Sequence, residues 1–249
     1  MTVGPGSSTI APTARLAGFL YLIVVGTGFF SLGYVRSQLM AKGDVAGTMD
    51  RIAASESLFR ASIAADVLCY TAFLILPFVL YTLSRPRHAF AAVLMVAFAV
   101  PSVPLAFQTV AGKLDLLSLV TAAGDLRALA PEHVHAQGAL LLNSQTSLLF
   151  VLKVFWGLWL FPLGYLILRS GMIPRFLGAL LIVGGAGYLM DFFGRLLVPG
   201  SIESVAQVVR KAAALGEVGT CLWLLIMGAK VTEPNLRDTS PAQSLDDPP

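Results

Sequence analysis

Charge is what this chain has least of: Asp, Glu, Lys and Arg together make up 12% of its 249 residues. A soluble domain carries about a quarter, so a folded surface built from this sequence could not be wetted all round. The formal net charge of +3 is small and thinly spread. No Lys/Arg run is present that would grip a phosphate backbone, so nucleic acid is not expected as a partner. Cysteine is nearly missing as well. Cys69 and Cys221 both fall inside apolar runs, which excludes a disulfide framework, and no Cys/His spacing matches a zinc site. The phosphate-cradling and dinucleotide glycine patterns, the HExxH zinc helix and the GxSxG nucleophile turn are all missing. Nothing calls for a cofactor, a metal or a defined catalytic residue.

What the sequence has in quantity is hydrophobic length, at 56% of residues. A hydrocarbon core about 30 Å thick needs roughly 20 helical residues. Apolar stretches of about that length fall at 16–34, 60–83, 89–111, 148–168, 176–198 and 212–228. They predict an all-α fold, a polytopic transmembrane helical bundle of six spans over residues 15–230. Residues 1–14, rich in Gly, Ser, Thr and Pro, and residues 231–249 read as disordered tails. Asp44 is placed to cap a short helix through Ile52, and Ser55 to cap the next. Pro101 and Pro104 lie inside the third span, where each removes a backbone donor and a kink is expected. Gly184, Gly185 and Gly187 give the fifth span a small-residue surface suited to close helix packing.

Six crossings put both termini on one side with the short turns 84–88 and 169–175. Those turns carry Arg85, Arg87, Arg169 and Arg175 and no acid. Short, dense, basic turns favour the cytoplasm, so both termini are expected inside.

Against so apolar a background the ionisable residues in the spans are the candidate site. A charge at bilayer depth costs about 2.5–3.5 kcal/mol, so it is normally paired or faces a wet cavity. The candidates are Arg60, Asp66, Lys153, Asp191, Arg195 and Glu217. Depth counted from the expected helix ends, at about 1.5 Å per residue, places Asp66, Lys153, Asp191 and Glu217 in one layer opposite the termini. Glu56–Arg60 and Asp191–Arg195 are spaced to pair within a helix. Lys153 is expected to pair with Asp66 or Glu217 on another helix, with Trp156 adding a cation–π contact. The Glu132-His133-Val134-His135 run precedes a helix and reads as a solvated loop rather than a metal site.

Several segments together resemble a known family. They are Gly164-Tyr165, then Arg169-Ser170-Gly171-Met172-Ile173-Pro174-Arg175-Phe176-Leu177-Gly178, with Ser55-Glu56-Ser57-Leu58-Phe59-Arg60 and Gly187-Tyr188-Leu189-Met190-Asp191. Gly216-Glu217 followed by Leu222-Trp223-Leu224-Leu225, and the opening Arg15-Leu16-Ala17-Gly18, complete the set. The likeness is to the DUF4386 domain family of bacterial membrane proteins and covers residues 14–230. It implies a multi-span protein of a bacterial inner membrane and carries over no catalytic residues.

The function expected first is an accessory or structural membrane protein whose interhelical charges serve assembly. The alternative is a small transporter or a ligand- or lipid-binding protein with a polar pocket open to the non-cytoplasmic side. A further alternative is an intramembrane enzyme acting on lipid, with Asp66, Asp191 or Glu217 as general acid or base. Membrane lipids are the expected partners, together with a small polar ligand if the pocket is open. A closed, fully paired network favours the first reading, and an unpaired carboxylate in a pocket favours the others.

Overall fold

The computed structural model describes residues 7–41, 43–122, 130–198 and 203–228. These residues are almost entirely helical, and no strand occurs among them. The chain opens with α1 (Ser7–Gly28), which passes through a π-helical segment (Phe29–Val35) into the single turn α2 (Arg36–Leu39). Helix α3 (Val45–Ala54) follows, then α4 (Glu56–Ala99), α5 (Ser102–Val120), α6 (Pro131–Ser170), α7 (Arg175–Leu197) and α8 (Glu203–Ile226). Half of the expected N-terminal tail is therefore helix. The remainder of both tails, with Asp125 and Arg127 of the central loop, lies outside the described residues.

Local chemistry explains the breaks. Asp44 caps α3 as expected, its carboxylate accepting the Gly47 backbone N–H at 2.8 Å. Ser55 starts α4 without a side-chain cap. The 44 residues of α4 hold one long apolar stretch, Glu56–Arg85, and the start of the next, His88–Val120, because His88 (φ −144°, ψ 64°) leaves helical geometry between them. The expected kink in the third span is found between α4 and α5, where Pro101 interrupts the helix. Pro104 falls in the first turn of α5, where a missing N–H costs nothing. Gly171, at φ 65°, closes α6 in the left-handed conformation that favours glycine. Pro174 then leads into α7.

Five stretches are long and apolar enough to cross a bilayer: Pro12–Leu39, Glu56–Arg85, His88–Val120, Pro131–Ser170 and Arg175–Leu197. Six were expected. Helix α8 is as long as α7, at 24 residues against 23, but Arg210, Lys211 and Glu217 make it more polar. It nevertheless packs against α7 and α1, with Leu215, Leu222 and Ile226 left exposed on its outer face. Leu177, Leu181 and Gly184 of α7 meet Gly219, Gly216 and Ala213 of α8, so the two helices run antiparallel in close contact. Gly18 of α1 lies against the Leu224–Leu225 backbone on the other side.

Helices α6 and α7 touch backbone to backbone. A Cβ added to Gly164 would come 2.6 Å from the Gly178 carbonyl oxygen, and one on Gly157 would come 2.9 Å from that of Gly185. Small residues are what permit such an approach. The centre holds Trp159, with Phe73 edge-on at a centroid distance of 5.0 Å and Tyr21 at 6.0 Å. A second apolar cluster gathers Phe59, Ile63, Leu116 and Leu152 toward the α3 end. The outer surface is apolar too: Phe29, Phe90 and Leu197 are each more than two-thirds exposed. An arrangement apolar both inside and out is suited to hydrocarbon as its solvent.

Candidate functional site

Two buried charge clusters and one cavity hold Asp66, Lys113, Lys153, Asp191, Arg195 and Glu217. The first cluster joins α4 to α5. Lys113 Nζ donates to Asp66 Oδ2 at 2.6 Å, to Ser31 Oγ at 3.0 Å and to Ser62 Oγ at 3.3 Å. An ammonium has three donors, so this one is fully used. Both charged side chains are sealed, at 8% and 2% exposure. Ser31 belongs to the π-helical segment, whose wider turn interrupts the regular register of the first crossing at this point.

The second cluster joins α6 to α7. Asp191, fully buried, accepts from Lys153 Nζ at 2.6 Å and from Arg195 Nε at 2.9 Å. The expected partners of Lys153 were Asp66 or Glu217, and the structure corrects this. Gly157–Gly185 contact sets the register of α6 and α7, and that register brings position 153 level with 191. The cation–π partner is also different: Lys153 lies 5.5 Å from the ring centroid of Phe150, three residues before it, whereas Trp156, three residues after it, was expected to serve. Arg60 pairs with Glu56 at 2.6 Å as the spacing predicts, but both side chains are about half exposed. Such a pair contributes little.

Lys113 is the residue that sequence reasoning missed. The third span was expected to end at 111, which left position 112 onward to an interfacial helix. A signal was available: Ala106, Thr109, Val110, Lys113, Leu116 and Leu117 are spaced as one helical face, and all six are buried. A lysine at a core position of that face needs a carboxylate.

Glu217 sits apart from both clusters. Its expected depth assumed a helix starting at 212. Helix α8 starts at Glu203, so Glu217 lies fourteen residues in, or about 21 Å along the axis. Its neighbour Gly216 packs against Leu180 and Leu181, about eleven residues and roughly 16 Å along α7 from Asp191. The expected single layer is therefore a staggered arrangement. Of the six candidate residues, Glu217 alone lines the cavity described next.

That cavity, of about 330 Å³, is lined by residues of α1, the π-helical segment, α4, α5, α6, α7 and α8. Tyr21, Phe73, Trp156, Trp159 and Tyr188 contribute aromatic walls, and among the described residues Glu217 is the one charged residue lining it. Glu217 has no hydrogen-bond or ion-pair partner among the described residues. The Tyr21 hydroxyl, on a residue only 1% exposed, also has none. Phe29 and Val218 line the cavity yet are 75% and 40% exposed. They mark its mouth, which opens between the π-helical segment and α8 on the apolar flank of the bundle.

A second concavity of about 870 Å³ opens at the α2–α3 connection and is lined by Arg36, Asp44, Thr48, Asn143, Gln145 and Thr146 among others. None of the six candidates lines it. Among the described residues no group of three or more His, Cys, Asp or Glu side chains could hold a metal ion. His133 and His135 lie exposed on the first turns of α6, so the expected loop there is helix.

Comparison with known proteins adds a family and little chemistry. The family described as Domain of unknown function (DUF4386) matches residues 16–228. An uncharacterized protein of Archaeoglobus fulgidus is 34% identical over 87 residues, which is 35% of this chain and 50% of that protein. The matched stretch thus spans half the length of that relative. No solved structure matches.

Proposed function

The chain belongs to the DUF4386 family, and from that premise we propose that it is a multi-pass membrane protein that admits a small, largely apolar molecule from the bilayer into the cavity beside Glu217. One observation carries this reading: a carboxylate without a described partner lines an aromatic cavity of about 330 Å³ inside the bundle. Ligand sites are concave, mostly apolar, and contain a few convergent polar groups, and this cavity fits that description. Its mouth lies among outward-facing apolar side chains, so the route of entry is through lipid.

In this reading α8 is the sixth crossing, both termini lie in the cytoplasm and the protein resides in the inner membrane. The two buried charge clusters hold the frame. Asp66 and Asp191 are each engaged by cations and neither lines the cavity, which leaves them poorly placed as general acids or bases. An accessory role is supported by that complete pairing, but it gives no reason for the cavity.

The test is native mass spectrometry of the protein released gently from membranes, comparing Gly28→Leu with Gly26→Leu. Gly28 lines the cavity, and an added Cβ there meets only Cys69 Sγ, at 3.7 Å. Gly26 faces open space. Wild type and Gly26→Leu are expected to carry a bound small molecule, and Gly28→Leu to lose it. An identical spectrum for Gly28→Leu, or no adduct on wild type, would count against the reading.

A further inference from the structure

The chemical class of the occupant follows from the charge the cavity leaves unbalanced. Among the described residues every other acid buried in the spans is met by a cation: Asp66 by Lys113, and Asp191 by Lys153 and Arg195. Glu217 is the exception. Among the described residues no Lys or Arg lines its cavity, and Tyr21, Trp156, Trp159 and Tyr188 all contribute to its walls. A carboxylate at bilayer depth is normally paired or faces a wet cavity, and this cavity is too apolar to hold water well. An aromatic box attracts a cation through its ring quadrupoles, most strongly when the cation is desolvated.

We propose that Glu217 is the counter-ion for a hydrophobic monocation, an amine or quaternary ammonium on an apolar body, held among the Tyr21, Trp156, Trp159 and Tyr188 rings. This rests on the cavity being a ligand site. The lining also selects between sources of that cation. A zwitterionic phospholipid would bring a phosphate along with its amine, and among the described residues the cavity has no basic side chain to receive it. A free amphiphilic cation carries no such burden. The Tyr21 hydroxyl, which has no described partner, is available to orient the carboxylate once the cation is in place.

The experiment is equilibrium dialysis of the full-length protein, in an uncharged maltoside detergent, against benzyltrimethylammonium and its uncharged carbon isostere neopentylbenzene. The two differ in charge and hardly in shape. Wild type is expected to hold the cation about tenfold or more tighter than the isostere. Glu217→Gln is expected to lower cation affinity about tenfold while leaving the isostere within about twofold. Equal affinity for the two probes in wild type would overturn the proposal, as would unchanged cation binding by Glu217→Gln. If that variant fails to fold, the wild-type ratio decides alone. Gly28→Leu is expected to weaken binding of each probe, and failure of both probes to bind wild type, or no effect of Gly28→Leu, would overturn the cavity reading itself. Added phosphatidylethanolamine is expected not to displace the cation; displacement would contradict the assignment to a free monocation.

Discussion

Asp66 and Glu217 are both carboxylates on bundle-forming helices, but their surroundings differ in each respect that sets the cost of a charge. Asp66 is 2% exposed, lies 2.6 Å from an ammonium, and shares that ammonium with two serine hydroxyls. Glu217 has no described partner and borders empty volume walled by rings. A sealed ion pair in hydrocarbon is costly to break and achieves nothing by being open. A lone carboxylate beside a cavity contributes no lock and is available to something that arrives. The contrast suggests that presence of charge in a span is a weaker guide to function than absence of a partner for it.

The contrast can be broken most forcefully at Lys113. Lys113→Ala leaves Asp66 buried and alone, and is expected to cost about 3–5 kcal/mol, seen as collapse of folded yield and melting temperature in detergent. Wild-type melting would remove the distinction. Next is Asp191→Ala, which removes the acceptor shared by two cations and is expected to exceed Lys153→Ala, because the latter leaves the Arg195 contact to Asp191 in place at 2.9 Å. Thermal unfolding of the two side by side gives the order, and the reverse order would show that Lys153 contributes more to the fold than its pairing with Asp191. Replacing the whole first pair, Asp66→Leu with Lys113→Met, is expected to recover most of the loss of Lys113→Ala, since a buried pair exchanged for apolar side chains of similar volume is often neutral. No recovery would mean that the pair does more than lock two helices. Smallest is Arg60→Ala, expected to change stability by less than about 1 kcal/mol because its partner Glu56 is half exposed. A large loss there would place Arg60 in a network with partners beyond Glu56.

Bulk properties were legible in the sequence and rotational ones were not. Hydrophobic runs and scarce charge specify helices for a bilayer, because length and composition do not depend on which helix touches which. The Asp44 cap, the break at Pro101 and the turn after Gly171 were equally local. Helix starts at Pro131 and Glu203 were obscured because a helix can continue beyond the hydrocarbon with polar residues and no break signal. That obscured start misplaced Glu217 by several turns. The partners of Lys153 depended on the register at which Gly157 meets Gly185, a backbone contact no single helix announces. Lys113 was readable as a polar member of a buried face, once the apolar stripe from Ala106 to Leu117 is followed past position 111.

The most direct measurement is thermal unfolding of Asp66→Asn and Glu217→Gln in the same detergent, each a change of one carboxylate to its amide. The expected result is a clear drop in melting temperature for Asp66→Asn, which leaves Lys113 without its counter-charge, and a melting temperature at or above wild type for Glu217→Gln. A drop for Glu217→Gln as large as that for Asp66→Asn would contradict the division between a sealed lock and an open, unpaired carboxylate.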